Sequence, residues 1–312
     1  MVTFGTEFLA CPELFPARVA GEPWGHRDLT IDFLGGPYVC AGLDDAQLKA
    51  VCNHFQAPAT EDDVSPAVEI RFYRADESDF RSFDLKGWEY RLDLDYHTQF
   101  VRVAGLKFMG LLEWRPRLAG AVWTSVLEHE RFCEVFENFL RAAAQYRLLG
   151  SSALLVHSAA LVLDGRAYLF PGRSGAGKST LCRLAAANEW LVLSDELNAL
   201  FVRGGATYIQ QVPFAGDFGR TSHTDGSFPL AGVFRVEQAQ ADCLAPLSSP
   251  RALATLLSCT PFVNVDPYRR EHAQSVLEKV VFQHPAYTFE FSLSGKLAAL
   301  DRFRVQTRVS SS

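Results

Sequence analysis

The sequence predicts an α/β protein in two parts. A smaller mixed α+β domain over residues 1–122 precedes a larger domain over 123–312, built as a mixed sheet with flanking helices. Three observations predict this. Strand-like alternation dominates the first part, as in VEIRFYR (68–74) and WEYRLDLD (88–95). From about Thr124 the apolar period lengthens to that of a helix. Residues 153–194 then read as strand, tight turn, strand, glycine-rich loop, helix and strand.

Each element has its own signal. DDAQLKAVCNHF (44–55) is a helix candidate with Asp44 or Asp45 placed to cap it. In SVLEHERFCEVFENFLRAAAQYRLL (125–149), Phe132, Val135, Phe136, Phe139, Leu140 and Ala143 fall on one helical stripe. ALLVHSAALVL and RAYLF are joined by Asp164-Gly165, two residues that tolerate the positive φ of a tight hairpin turn. TLCRLAAAN reads as a helix and WLVLSDE as an apolar strand ending in acids. Residues 203–229, rich in Gly, Pro and polar side chains, read largely as loop. SPRALATLLSC and RREHAQSVLEKVVFQH read as helices, AYTFEFSL as a strand and the final serines as a frayed tail.

Composition narrows the function classes. With 48% hydrophobic residues, 21% charged and a net charge of −6, the chain is globular. It offers no electrostatic reason to bind nucleic acid or an anionic membrane. The longest apolar run, SALLVHSAALVL, is too short to span a bilayer. Seven cysteines without a Cys-x-x-Cys pair fit reduced thiols better than a disulfide framework. No charged, then hydrophobic, leader opens the chain, so a soluble cytoplasmic protein is expected. His129/Cys133 and Cys52/His54 lack further ligands at zinc-like spacing.

The informative stretch is FPGRSGAGKST (170–180). Gly172-Arg173-Ser174-Gly175-Ala176-Gly177-Lys178-Ser179, followed by Thr180, matches the P-loop pattern G-x-x-x-x-G-K-[ST]. Glycines let backbone N–H groups approach and wrap phosphate oxygens, and the helix that follows aims its unpaired N–H groups at the same anion. Lys178 supplies a point charge for the β- and γ-phosphates, and Ser179 a hydroxyl for Mg²⁺. A strand precedes the motif and a helix follows, the context the motif requires. Residues 172–180 are therefore read as a binding site for ATP with Mg²⁺.

The acids that follow discriminate among P-loop proteins. Asp195 comes sixteen residues after Ser179, room for only one short helix and one strand. The strand feeding the loop is the second arm of a hairpin and so should have an antiparallel neighbour. Neither the Asn-Lys-x-Asp motif of GTPases nor the signature of transporter ATPases is present.

Val156-His157, the hairpin, Gly172 to Ser179 and Ser194-Asp195-Glu196 together resemble the HPr kinase/phosphorylase family, and in particular the HPr-kinase-related proteins of unassigned substrate. The likeness is specific over roughly residues 153–200; VPFAGDFGR (212–220) resembles a stretch in the related proteins. It implies a P-loop kinase domain of the HPr-kinase/PEP-carboxykinase type. Carried over position by position, it implies that Asp195 is the base near the acceptor hydroxyl, with His157 beside that carboxylate. Glu196 and Ser179 would contact Mg²⁺, and Lys178 would neutralise phosphate charge. Glu196 stands where those kinases have a second aspartate, and their glutamate–arginine–glycine signature has no counterpart. Phosphorylase activity, and HPr itself as acceptor, are therefore not implied.

The expected function is ATP- and Mg²⁺-dependent transfer of the γ-phosphoryl group to a serine or threonine hydroxyl of a small protein or peptide. The alternatives are a nucleotide-binding regulator without transfer activity and a small-molecule hydroxyl kinase. The family resemblance also admits a homo-oligomer. Arg220 and Asp217, in the long loop, are candidates for anion or substrate contact, weighed against the commoner solvated surface role.

Overall fold

The computed structural model describes residues 3–15, 21–56, 66–82, 91–114, 117–292, 297, 299–300 and 303. The start of the expected strand 88–95 and the C-terminal serines lie outside these. The chain divides into two units, Met1–Arg147 and Leu148–Ser312.

In the first unit, β1 (Arg27–Ile31) and β2 (Tyr38–Leu43) lead into α1 (Asp45–Phe55). Then come β3 (Val68–Arg74), β4 (Asp93–Tyr96), β5 (Phe100–Gly105), β6 (Phe108–Trp114) and β7 (Leu118–Thr124), and α2 (His129–Leu149) closes the unit. The described strands form one seven-stranded sheet in the order β1-β2-β3-β7-β6-β5-β4. It is parallel at β2–β3 and β3–β7 and antiparallel elsewhere. Asp44 caps α1 with a full capping box, accepting from Gln47 N while Gln47 reaches back to the Asp44 N–H. The predicted stripe on α2 is buried at every position, from Phe132 to Ala143.

The unit boundary at Arg147/Leu148 lies later than the 122/123 division expected from sequence. β7 runs through Thr124, hydrogen-bonded between β3 and β6. The α2 stripe packs on the same sheet, with Phe139 against Gly110 of β6 and Gly120 of β7. A change of period marks a change of element, and here the helix belongs with the sheet that precedes it.

The second unit contains β8 (Ala153–Leu163), β9 (Arg166–Pro171), α3 (Lys178–Ala187), β10 (Leu191–Ser194), β11 (Leu197–Arg203) and β12 (Ala206–Gln211). These are followed by β13 (Phe228–Gln238), β14 (Cys243–Pro246), α4 (Ser249–Ser258), α5 (Arg270–Gln283) and β15 (Ala286–Phe291). β8 and β9 form the predicted hairpin in full register, with Asp164 (φ 51°) and Gly165 (φ 73°) both left-handed. Of the expected loop 203–229, Ala206–Gln211 is instead a strand pairing β11 antiparallel. ATYIQQ alternates, but the Gly204-Gly205 turn before it gave the segment a loop-like composition.

Pairing in this unit closes on itself, running β8–β11–β12–β13–β9 and back to β8. β9 lies between antiparallel β8 and parallel β13, and β13 is parallel to β15 as well. The carboxyl ends of β9, β13 and β15 therefore point the same way. A core of Phe170, Leu181, Cys182, Phe234, Phe289 and their neighbours seats α3 on these strands. No described helix is long and apolar enough to cross a membrane.

Candidate phosphate-binding site

The glycine loop leaves β9 at Pro171 and enters α3 at Lys178. Gly175 (φ 78°) and Gly177 (φ 96°) occupy the left-handed region that side chains rarely adopt. Gly177 also has no room for a Cβ, which would stand 2.8 Å from Gln238 Nε2 and 2.9 Å from the Phe291 ring. These two residues end β13 and β15, so the loop sits at the carboxyl ends of three parallel strands, where α/β sheets bind ligands.

Within the loop, Ala176 N–H donates to the Arg173 carbonyl (3.2 Å), and Leu181 N–H makes the first helical bond, to Gly177 O (2.8 Å). Among the described residues, no partner receives the N–H groups of Ser174, Gly175, Gly177, Lys178, Ser179 and Thr180. Apart from buried Lys178, these residues are exposed or half-buried. Six backbone donors thus stand at the positive end of a ten-residue helix, an arrangement that attracts anions.

Lys178 lies almost wholly inside, 6% exposed, and its ammonium donates to the carbonyls of Gly172 (3.0 Å) and Arg173 (3.1 Å). Burial pushes its pKa below the ordinary lysine value; the opposing negative charges are led by Glu196 and include Asp195. The lysine is held back along the loop that would carry the phosphates, with both acids acting on it.

The two acids face different ways. Asp195 is 2% exposed, and its carboxylate accepts the N–H groups of Gly216 (Oδ1, 3.1 Å) and Phe218 (Oδ2, 2.8 Å). Glu196 remains half-buried, with Oε2 3.3 Å from His157 Nε2. The sequence expectation placed His157 beside Asp195; the structure gives it Glu196. The two acids lie in the bend between β10 and β11. β8–β11 pairing puts Leu197 opposite His157, and Ser158 N–H bonds the Glu196 carbonyl (3.1 Å). Glu196 thus meets the histidine while Asp195 turns to the loop 212–221.

Sequence reasoning missed several participants. The Cys259 thiol, after α4, is buried beside the loop, and burial raises its pKa against the nearby Ser258 hydroxyl, the charges of Lys178 and Arg173, and the Gly172 N–H. The Cys259 carbonyl also accepts the His157 N–H (2.7 Å). Gln238, Phe291 and Cys259 lie 59 or more residues beyond Ser179, without a local pattern to mark them. Of the loop candidates, Arg220 donates to Pro213 O (2.6 Å), and the Asp217 carbonyl accepts from Arg183 (3.0 Å). Both contacts hold the loop in place. Arg173 is exposed.

These features define a two-unit α/β protein whose second unit carries a strand–glycine loop–helix turn, with the acids Asp195 and Glu196 in the bend between β10 and β11. The family described as SynChlorMet cassette protein ScmC matches residues 134–297, more than half of the chain, and the chain belongs to that family. The match takes in every element from β8 to β15. No curated protein matches the chain.

Proposed function

We propose that the protein is an ATP- and Mg²⁺-dependent kinase of the P-loop type, transferring the γ-phosphoryl group to a hydroxyl of a small protein or peptide. The observation that carries this reading is the juxtaposition at Lys178: a buried ammonium on the phosphate cradle, under the charge of an adjacent acidic pair. The resemblance to HPr-kinase-related proteins in residues 153–200 supports a fold of that type, and the parallel set β9, β13 and β15 is compatible with it.

The cradle N–H groups and Lys178 would hold and neutralise the phosphates. Among the described residues, no cluster of three or more His, Cys, Asp or Glu side chains could hold a metal by itself. Ser179 and Glu196 would hold Mg²⁺ brought in with the nucleotide. The ion supplies charge neutralisation of the β- and γ-phosphates. In the transfer, the acceptor oxygen bonds to the γ-phosphorus, the bond to the β–γ bridging oxygen breaks, and ADP leaves with that electron pair. The hydroxyl proton passes to a carboxylate of the Asp195–Glu196 pair.

Purified protein with labelled ATP and a cell lysate tests this: label should reach an acceptor with wild type and not with Lys178→Ala. One observation favours a nucleotide-binding regulator instead, namely that Asp195 has both oxygens committed to backbone donors. Tight Mg·ATP binding by calorimetry, with no transfer across peptide and metabolite acceptors, would select that reading.

A further inference from the structure

Residues 212–221 run along the end of β10 and are pinned to it bond by bond. Ser194 Oγ donates to Phe214 O (3.0 Å), Thr221 Oγ1 donates to Leu193 O (2.8 Å), and Gln211 Nε2 reaches the same carbonyl (3.1 Å). Between these, both Asp195 oxygens take N–H groups from Gly216 and Phe218. The turn is tightened by Gly219 N–H to Gly216 O (3.0 Å) and by the Arg220 guanidinium on Pro213 O.

Gly216 shows how closely the two parts fit. A Cβ there would stand 2.8 Å from Asp195 Oδ1 and 3.1 Å from Oδ2, so the carboxylate fills the space a side chain would need. Gly216 does not have a left-handed φ; it is required for closeness. The same strap reaches the phosphate helix. Arg183 of α3 donates to Asp217 O, and Phe218 packs on the core cluster that includes Leu181 and Cys182.

We infer that Asp195 is a positioning residue, whose carboxylate fastens the 212–221 strap against β10 and the phosphate helix, and that it is not the group that meets the acceptor. Glu196, half-buried and paired with His157, is the less enclosed carboxylate of the pair. This inference rests on the kinase reading for its catalytic consequence, but the fastening itself is independent of that reading. Removing the charge at 195 leaves the part-buried Gly216 or Phe218 N–H without its acceptor, which loosens the strap. The seat of α3 weakens with it, so the loss falls on ligand affinity more than on the chemical step.

The test compares Asp195→Asn and Gly216→Ala in the full chain. Gly216→Ala keeps the carboxylate and crowds it, so it should reproduce the Asp195→Asn phenotype. Hydrogen exchange across 212–221 should rise at least tenfold in both, while the buried core strands β8 and β9 stay protected. In Mg·ATP turnover, KM should rise about fivefold or more and kcat fall less than tenfold. The inference is overturned if Asp195→Asn leaves strap exchange unchanged, or lowers kcat a hundredfold or more at constant KM. Calorimetry of the wild type with Mg·ATP tests the nucleotide reading separately: absence of binding would sink that reading while the exchange data still decide the fastening.

Discussion

His157 Nε2 stands 3.3 Å from Glu196 Oε2, across the β8–β11 pairing that sets Leu197 opposite His157. The pair is partly open, at 29% and 26% side-chain exposure, while the neighbouring Asp195 is closed off. A histidine so placed orients the carboxylate through its ring, while its backbone carbonyl, which alanine retains, accepts the Gly172 N–H (3.5 Å). His157→Ala should therefore lower phosphoryl transfer about 10- to 100-fold, less than the loss of the general base itself, which is about 10²- to 10⁴-fold. Its Mg·ATP affinity should stay within about twofold of wild type. Single-turnover transfer beside calorimetry checks both; a large loss of nucleotide affinity would place His157 in the binding site instead.

Lys178 gives a second prediction, readable without any acceptor. Its ammonium rests on loop carbonyls, and a bound polyphosphate would add opposite charge to that of Glu196 and Asp195. Ligand present at a hundred times its Kd stabilises the binding protein by about 2.7 kcal/mol. In a unit of this size that is a rise in Tm of about 5–10 °C. Thermal melts with Mg·ATP should show this rise for wild type and none for Lys178→Ala.

How much of this was legible depended on how local each determinant is. Gly175 and Gly177 announce left-handed backbone, Asp164-Gly165 announces the hairpin, and Asp44 with Gln47 announces the capping box; each signal lies within a few residues. The candidate residues from 172 to 196 could likewise be named from local sequence, because the motif and its acids are close together. The partner of His157 was not, because it depends on how the bend at 195 and 196 turns the two side chains. Nor was the role of Gly216, whose reason is a carboxylate 21 residues away. The unit boundary failed for a related cause: α2 carries a helical period that identifies it, but nothing in the stripe says which sheet it covers.

The first unit holds a pH-dependent element. Glu137 on α2 is buried, with its carboxylate paired to His54 of α1 and to Arg141 one turn on. Burial alone would raise its pKa, but the hydrogen bonds and charges of His54 and Arg141 outweigh burial and hold it below the ordinary glutamate value. The stability this lends is full above that ordinary value and is lost as pH falls through the lower, folded one. Glu137→Gln should cost about 1–3 kcal/mol at pH 7, reduced from the fully buried case because His54 is partly solvated. Urea titrations at pH 7 and pH 3 check it: the gap between variant and wild type should shrink at the lower pH, and an equal gap would exclude this linkage.

The packing of α2 on its sheet rests on a notch made by two glycines. Phe139 is fully buried, and a Cβ at Gly120 would stand 2.7 Å from its ring, with one at Gly110 closer still. Neither glycine has a left-handed φ, so each is needed for space and not for backbone freedom. They lie on the adjacent strands β6 and β7, whose register sets Gly110 opposite Val122 and Gly120 opposite Leu112, so both flank the same ring. Adding one methyl at either site overfills a close-packed interior and should cost about 1–3 kcal/mol. The interaction is pairwise, so shrinking the ring should relieve it. In a Phe139→Leu background, Gly110→Ala and Gly120→Ala should each cost less than about 1 kcal/mol, a coupling that a double-mutant cycle in urea measures directly. Equal penalties in both backgrounds would mean that the glycines serve the strands and not the aromatic ring.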